Sequence, residues 1–203
     1  STTGGCGVAS DSILVGFTPT PSASISFANN CLGVASAIND DSQGAVVSWL
    51  WNWGDGTTST LNNPGLYIYN NTGNYNINLL IENQTGCKDS TEGVITIHNI
   101  PNSDFQATDV CLFDTCFFNN TSSVVSGDSI TNLSWYFGNG DTSSLVNPQY
   151  YFPTSGQYLI ELIVHTQNNC TDTINKLVSI HSNPQSIFVA NESIIGLNEN
   201  IQF

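Results

Sequence analysis

Apolar residues along this chain recur at every second position, in short stretches separated by turn-forming residues. Trp49, Trp51 and Trp53 alternate with Leu50 and Asn52, and Tyr75, Ile77, Leu79 and Ile81 alternate with Asn74, Asn76, Asn78 and Leu80. Farther on, Leu133, Trp135 and Phe137 take alternate positions, and Tyr158, Ile160, Leu162 and Val164 alternate with Leu159, Glu161, Ile163 and His165. Ile95 and Ile97 are matched by Val178 and Ile180. A period of two sends successive side chains to opposite faces of a β-strand, so each set predicts a strand with one buried face. No segment carries a helical stripe, and Asn-Gly, Asp-Gly, Asn-Pro and Thr-Gly pairs punctuate the runs. About seven short strands in roughly 80 residues is the count of a β-sandwich.

The pattern occurs twice. Ser48-Trp49-Leu50-Trp51-Asn52-Trp53-Gly54-Asp55-Gly56 returns 84 residues later as Asn132-Leu133-Ser134-Trp135-Tyr136-Phe137-Gly138-Asn139-Gly140. Gly73-Asn74-Tyr75, Cys87, His98 and Pro101 return 83 residues later as Gly156-Gln157-Tyr158, Cys170, His181 and Pro184. A unit that recurs whole is a module of an array. Pro21, Pro101 and Pro184 each open the pattern, which predicts full modules over 21–100 and 101–183. Residues 1–20 read as the last strand of a preceding repeat, because Gly5-Cys6 precedes Pro21 much as Gly86-Cys87 precedes Pro101. Residues 184–203 read as the first strand of a following one. On this reading the two end strands are continuous with neighbouring repeats or are exchanged with another subunit. Ile100-Pro101 and Asn183-Pro184 are the linkers, stiffened because Pro fixes its own φ and restricts the residue before it.

A buried Trp on a central strand and a Tyr opening a late strand after a Gly turn mark immunoglobulin-like sandwiches. In detail the chain resembles the polycystic kidney disease (PKD) domain, an immunoglobulin-like module. The residues that carry the resemblance are Trp51-Asn52-Trp53-Gly54-Asp55-Gly56, Asn63-Pro64, Tyr67, Tyr69 and Gly73-Asn74-Tyr75-Asn76-Ile77-Asn78-Leu79. They recur as Trp135-Tyr136-Phe137-Gly138-Asn139-Gly140, Asn147-Pro148, Tyr150, Phe152 and Gly156-Gln157-Tyr158-Leu159-Ile160-Glu161-Leu162. The second copy has Asn139 where the family usually has Asp, and Asp141, two residues on, is placed to take over the turn. Cys87-Lys88-Asp89-Ser90 and Cys170-Thr171-Asp172-Thr173 resemble the variant found in surface and secreted proteins of Bacteroidota. The resemblance implies an all-β fold of tandem PKD-type sandwiches.

Charge narrows the partners. The chain has 203 residues, two basic residues (Lys88 and Lys176), 16 acidic ones and a net charge of −14. Nucleic-acid binding needs clustered Lys and Arg, which are lacking. An anionic membrane surface would repel the chain, and no apolar run approaches the roughly 18 residues of a membrane span. With no Met and no secretory segment, the chain reads as a mature region or a fragment.

Six cysteines, none in a CxxC pair, point to disulfides and an oxidising exterior. In an immunoglobulin-like sandwich the first strand region runs beside the last, which makes Cys31–Cys87 and Cys111–Cys170 the expected bridges within modules. Cys116 stands where the first module has Ser36, and a Cys6–Cys116 bridge and a free thiol are the alternatives for it. The Gly-Asp-Gly turn makes Asp55 and Asp141 weak calcium candidates, with a structural turn-capping role as the alternative; the loop pair Asp40-Asp41 is weaker still. Seven Asn-x-Ser/Thr sequons occur, at Asn70, Asn83, Asn119, Asn120, Asn132, Asn169 and Asn191. Ser12, Ser90, Ser129 and Thr173 follow Asp in segments that resemble the O-glycosylation motif of Bacteroidota, and these four are the glycosylation candidates.

No Ser-His-Asp set or carboxylate pair converges in either module, so no catalytic residue and no cofactor are expected. His98 and His181 are repeat-equivalent near the module ends, hence structural or junctional, whereas His165 and the outward-facing Tyr136 escape the repeat. The resemblance implies non-catalytic spacer repeats of a large extracellular bacterial surface adhesin or filament, as in gliding adhesins. Its partners would be neighbouring repeats of the same long chain, and glycans or surface proteins. The alternative is an accessory carbohydrate- or protein-binding module of a secreted hydrolase.

Overall fold

In a computed structural model of the chain, residues 19–187 are described. They form strands joined by turns, with no helix among them. The chain divides into two compact units between Asn99 and Ile100. The readings placed on residues 1–18 and 188–203 (Cys6, Ser12, Asn191 and most of the two partial repeats) lie outside the described residues.

Among the described residues the first unit holds eight strands: β1 (Ile25–Phe27), β2 (Asn30–Cys31), β3 (Ser36–Asp40), β4 (Val46–Asn52), β5 (Thr58–Ser59), β6 (Gly65–Tyr67), β7 (Gly73–Asn83) and β8 (Lys88–His98). They build a three-stranded sheet, β1-β3-β6, and a five-stranded sheet, β2-β8-β7-β4-β5. Ile38 of the smaller sheet meets Trp51, Trp53, Ile77, Leu79, Ile81, Ile95 and Ile97 of the larger in one buried cluster, which makes the unit a sandwich. The alternation along the sequence is the cause: in β7, Ile77, Leu79 and Ile81 are buried while Asn76, Asn78 and Leu80 are not. Tyr75 Oη donates to the carbonyl of Asn71 at 2.8 Å, tying the Gly turn to the strand it opens.

The second unit repeats this with β9 (Phe105–Ala107), β10 (Val110–Cys111), β11 (Cys116–Asn120), β12 (Ile130–Tyr136), β13 (Thr142–Ser143), β14 (Gln149–Tyr150), β15 (Gly156–Thr166) and β16 (Thr171–His181). Its sheets are β9-β11-β14 and β10-β16-β15-β12-β13. Trp135, Phe137, Phe118, Phe105, Ile160 and Leu162 fill its core.

Two features give each unit a direction. Its start is pinned to the first residues of the last strand: Ala23 N donates to Asp89 Oδ2 at 2.7 Å, and Ser103 N to Asp172 Oδ2 at 2.8 Å. Its finish lies where a short strand pairs in parallel with the end of that last strand, Cys31 opposite His98 and Cys111 opposite His181. Each unit therefore has a leading end, where the chain enters, and a trailing end, where it leaves.

The cysteine expectation is overturned by this register. Cys87 immediately precedes β8, whereas Cys31 pairs with its last residue. Ten residue steps of strand span about 33 Å, whereas a disulfide holds its α-carbons within about 7 Å. The same separation holds between Cys111 and Cys170 along β16. Cys87 and Cys111 are free thiols, and Cys31 and Cys170 are each disulfide-bonded. Cys116 takes the free-thiol alternative: it is buried, and its Sγ lies 3.6 Å from the carbonyl oxygen of Thr108.

Candidate functional site

The repeated aromatic–Gly motif gathers aromatic rings and polar side chains in each unit. In the first, Trp51 and Trp53 stack at 5.2 Å, Trp53 stacks on Tyr67 at 4.7 Å, and Tyr69 stacks on Tyr75 at 4.2 Å. Trp51 is 0% exposed and Trp53 2%. Trp51 Nε1 donates to the carbonyl of Leu61 at 2.9 Å, and Tyr69 Oη to that of Trp53 at 3.0 Å, so the polar tips are satisfied.

The turn itself is built on Gly54 and Asp55. Gly54 has φ +81°, and a β-carbon there would lie 2.7 Å from the backbone nitrogen of Asn76, so only glycine fits. Asp55 Oδ1 accepts from the backbone N and Oγ1 of Thr57 at 2.9 and 2.7 Å, and its Oδ2 accepts from Tyr67 Oη at 2.6 Å. Desolvation works to raise the Asp55 pKa, but the bonds from Tyr67 and Thr57 prevail and hold it below the ordinary 3.8. Desolvation and the carboxylate together push the Tyr67 hydroxyl up.

The second unit solves the same turn with exchanged residues. Asn139 stands in place of Asp55, and its Nδ2 donates to Tyr150 Oη at 2.7 Å. Asp141 stands in place of Thr57, and its Oδ2 accepts the Tyr150 hydroxyl. The tyrosine thus keeps a carboxylate partner although the acid has moved by two positions. Asp55 is engaged as the turn cap of the first unit, whereas in the second Asn139 Oδ1 caps the turn by accepting from Asp141 N at 3.1 Å, so Asp141 does not take over the turn and its carboxylate holds Tyr150 instead. Among the described residues no three His, Cys, Asp or Glu side chains gather to hold a metal ion.

The glycosylation candidates are on the surface where described: Ser90 on β8, Thr173 on β16 and Ser129 before β12 are all exposed. The aspartates before Ser90 and Thr173 are the ones that pin the start of each unit, a role no pattern in the sequence announced. Among the sequon asparagines, Asn83 is buried (6% exposed), and its Oδ1 accepts from Thr85 N, Thr85 Oγ1 and Cys87 N. It is a hairpin anchor.

Of the positions that escape the repeat, Tyr136 is 43% exposed and borders a surface depression with Ser134, Trp135 and Thr142–Ser144. Trp135 is 0% exposed, so it offers no ring face beside Tyr136. His181 Nε2 lies 4.0 Å from Asp109 Oδ2, and His98 and His165 are half-buried on separate units.

Two sandwiches of one design, each with an aromatic ladder and a side-chain-capped turn whose tyrosine bonds a carboxylate, define a tandem immunoglobulin-like repeat. Residues 21–97 and 99–180 each match the PKD domain, and the chain belongs to that family. PKD domains are non-catalytic, and the matched residues carry no enzyme activity of their own. Among curated proteins the chain is 37% identical over 57 residues to collagenase ColQ1 of Bacillus cereus, covering 28% of this chain and 6% of that protein. It is 27% identical over 143 residues to the pre-pro-metalloprotease PrtV of Vibrio cholerae, covering 70% of this chain and 15% of that protein. The chain thus spans only a small part of these relatives. The solved PKD1 domain of PrtV is 28% identical, with a TM-score of 0.38, covering 40% of this chain and 98% of that one.

Proposed function

We propose that the two modules are non-catalytic spacers of an extracellular bacterial protein, set in an array of similar repeats in a large surface adhesin or filament. The observation that carries this reading is the fate of the repeated aromatics. Trp51, Tyr69, Trp135, Phe137 and Phe152 are all 0–2% exposed, so the motif that recurs is spent on the two cores. The acids of the motif are spent on the hydroxyls of Tyr67 and Tyr150 within their own units. What recurs in both copies is folding chemistry, as expected of units selected for shape and number. Disulfide-bonded Cys31 and Cys170 favour an oxidising exterior. No helix of the described residues is long and apolar enough to cross a membrane. Electron microscopy of the native particle tests the proposal. A long thread of similar beads is expected, and a compact enzyme bearing one short arm would overturn it.

A second reading is an accessory module of a secreted hydrolase that holds glycan or protein. The resemblance to the collagenase and to PrtV favours it. Saturable binding of the purified chain to a glycan array or to fibrillar protein, lost on Tyr136→Ala, would establish that role.

A further inference from the structure

Each module carries one cysteine at its leading end and one at its trailing end, in equivalent places. Cys87 and Cys170 end the hairpin turn just before the last strand, and Cys31 and Cys111 sit in parallel register with that strand's final histidine. Within a module the two lie too far apart to join. Their states alternate. At the trailing end Cys31 is disulfide-bonded and Cys111 is a thiol; at the leading end Cys170 is disulfide-bonded and Cys87 is a thiol. Burial follows the same division: Cys31 and Cys170 are 8% and 0% exposed, whereas Cys111 is exposed and Cys87 half-buried. The place occupied by each thiol is therefore one where its twin in the other module is oxidised and covered.

We propose that Cys111 and Cys87 are the two halves of a covalent junction between successive modules, the trailing-end cysteine of one joining the leading-end cysteine of the next. The occupant each thiol takes is another module of this design, supplied in solution by a second copy of this chain. Chain direction favours this pairing over like with like, because in any tandem array a trailing end is followed by a leading end. The chemistry is thiol–disulfide exchange with a small-molecule disulfide. The thiolate of Cys111 attacks one sulfur of the small disulfide, forms a mixed disulfide and releases one small thiol. The thiolate of Cys87 then attacks the Cys111 sulfur and releases the second. Two protein thiols lose two electrons, and the small disulfide takes up those electrons and both protons. The inference rests on the tandem design alone, so its failure leaves the spacer proposal standing.

The test is oxidation of the full 203-residue chain by excess oxidised glutathione at high protein concentration, followed by non-reducing electrophoresis. A ladder of head-to-tail oligomers is expected. Cleavage before Asp residues isolates Cys87 in the peptide 55–88 and Cys111 in the peptide 109–113, and mass spectrometry of the ladder should find these two joined. The variants Cys87→Ser and Cys111→Ser should each stay monomeric alone and form one heterodimer when mixed. Both substitutions are at accessible sites, and unchanged tryptophan fluorescence confirms that each variant folds. Homodimers of either variant at the yield of the mixture, bridges through Cys6, or the absence of any cross-link would overturn the proposal.

Discussion

The ring of Phe27 occupies the space that a side chain at Gly93 would need: a β-carbon there would lie 2.6 Å from Cε1 and Cζ of the ring. The second module exchanges both partners. Ala107 takes the place of Phe27 at the end of the first strand, and Lys176 takes the place of Gly93. Lys176 Nζ donates to Asp104 Oδ1 and to the carbonyl of Phe105, each at 2.6 Å, and lies 5.1 Å from the centre of the Phe105 ring. One volume is thus filled from the smaller sheet in one copy and from the larger sheet in the other.

Gly93→Ala should therefore destabilise the first module by about 1–3 kcal/mol, the usual cost of overpacking. Urea denaturation measures it. In a Phe27→Ala background the added methyl has room, and most of the penalty should vanish; a cost unchanged in that background would refute the contact.

Acid should weaken the Asp55 turn. The folded carboxyl titrates below its ordinary value, so its contribution to stability is complete above about pH 4 and is lost as pH falls through the lowered folded value. Asp55→Asn should flatten the acid limb of the stability profile of the first module. Tyr67→Phe removes one of the bonds that lower the pKa, so the Asp55 carboxyl should titrate higher when followed by NMR.

Asp89→Ala and Asp172→Ala should each cost about 1.5–3 kcal/mol, the range for a hydrogen bond to a charged group. Each acts at the start of its own unit, so the double variant should show additive losses. Ser90→Ala, one residue on, should leave stability within about 0.5 kcal/mol.

Thiol labelling should separate Cys87, Cys111 and Cys116, the free cysteines among the described residues. Burial pushes the Cys116 thiol up to about 11, and no solvent reaches it. Iodoacetamide at pH 8 should modify Cys87 and Cys111 in the native chain and reach Cys116 only on unfolding.

Glycosylation is checked by mass. If Ser90, Ser129 and Thr173 carry O-linked sugars, the chain isolated from its native host exceeds the bare 21.8 kDa, and the exposed Ser90 and Thr173 hydroxyls should be occupied alike. A native mass equal to the bare value rules the sugars out.

The period-two runs made the sheets legible in the sequence, because burial of one strand face leaves a direct mark on residue order. The turn of the second unit was legible only in part: Asn139 keeps the capping role that Asp141 was expected to assume, and Asp141 supplies the carboxylate for Tyr150, a partner nine residues away. The cysteine pairing was not. Spacing shows that two residues belong to the same strand region but not at which end of it they lie, and the parallel register of Cys31 with His98 is a long-range fact. The partnership of Gly93 with Phe27 stayed hidden for the same reason, as did the role of Asp89, whose bond to Ala23 crosses 66 residues of chain.

The parallel pairing at each trailing end also determines how a module meets tension. Asn30 and Cys31 lie beside Ile97 and His98, and Leu32 N donates to the carbonyl of His98 at 2.9 Å. Force applied through the two chain ends draws β2 toward the leading end and β8 away from it. The two strands must then slide past each other, and their hydrogen bonds carry the load together in shear. Antiparallel neighbours at that place would open one bond at a time. A short parallel seam of two residue pairs therefore makes each sandwich resist extension as a unit until the seam gives way.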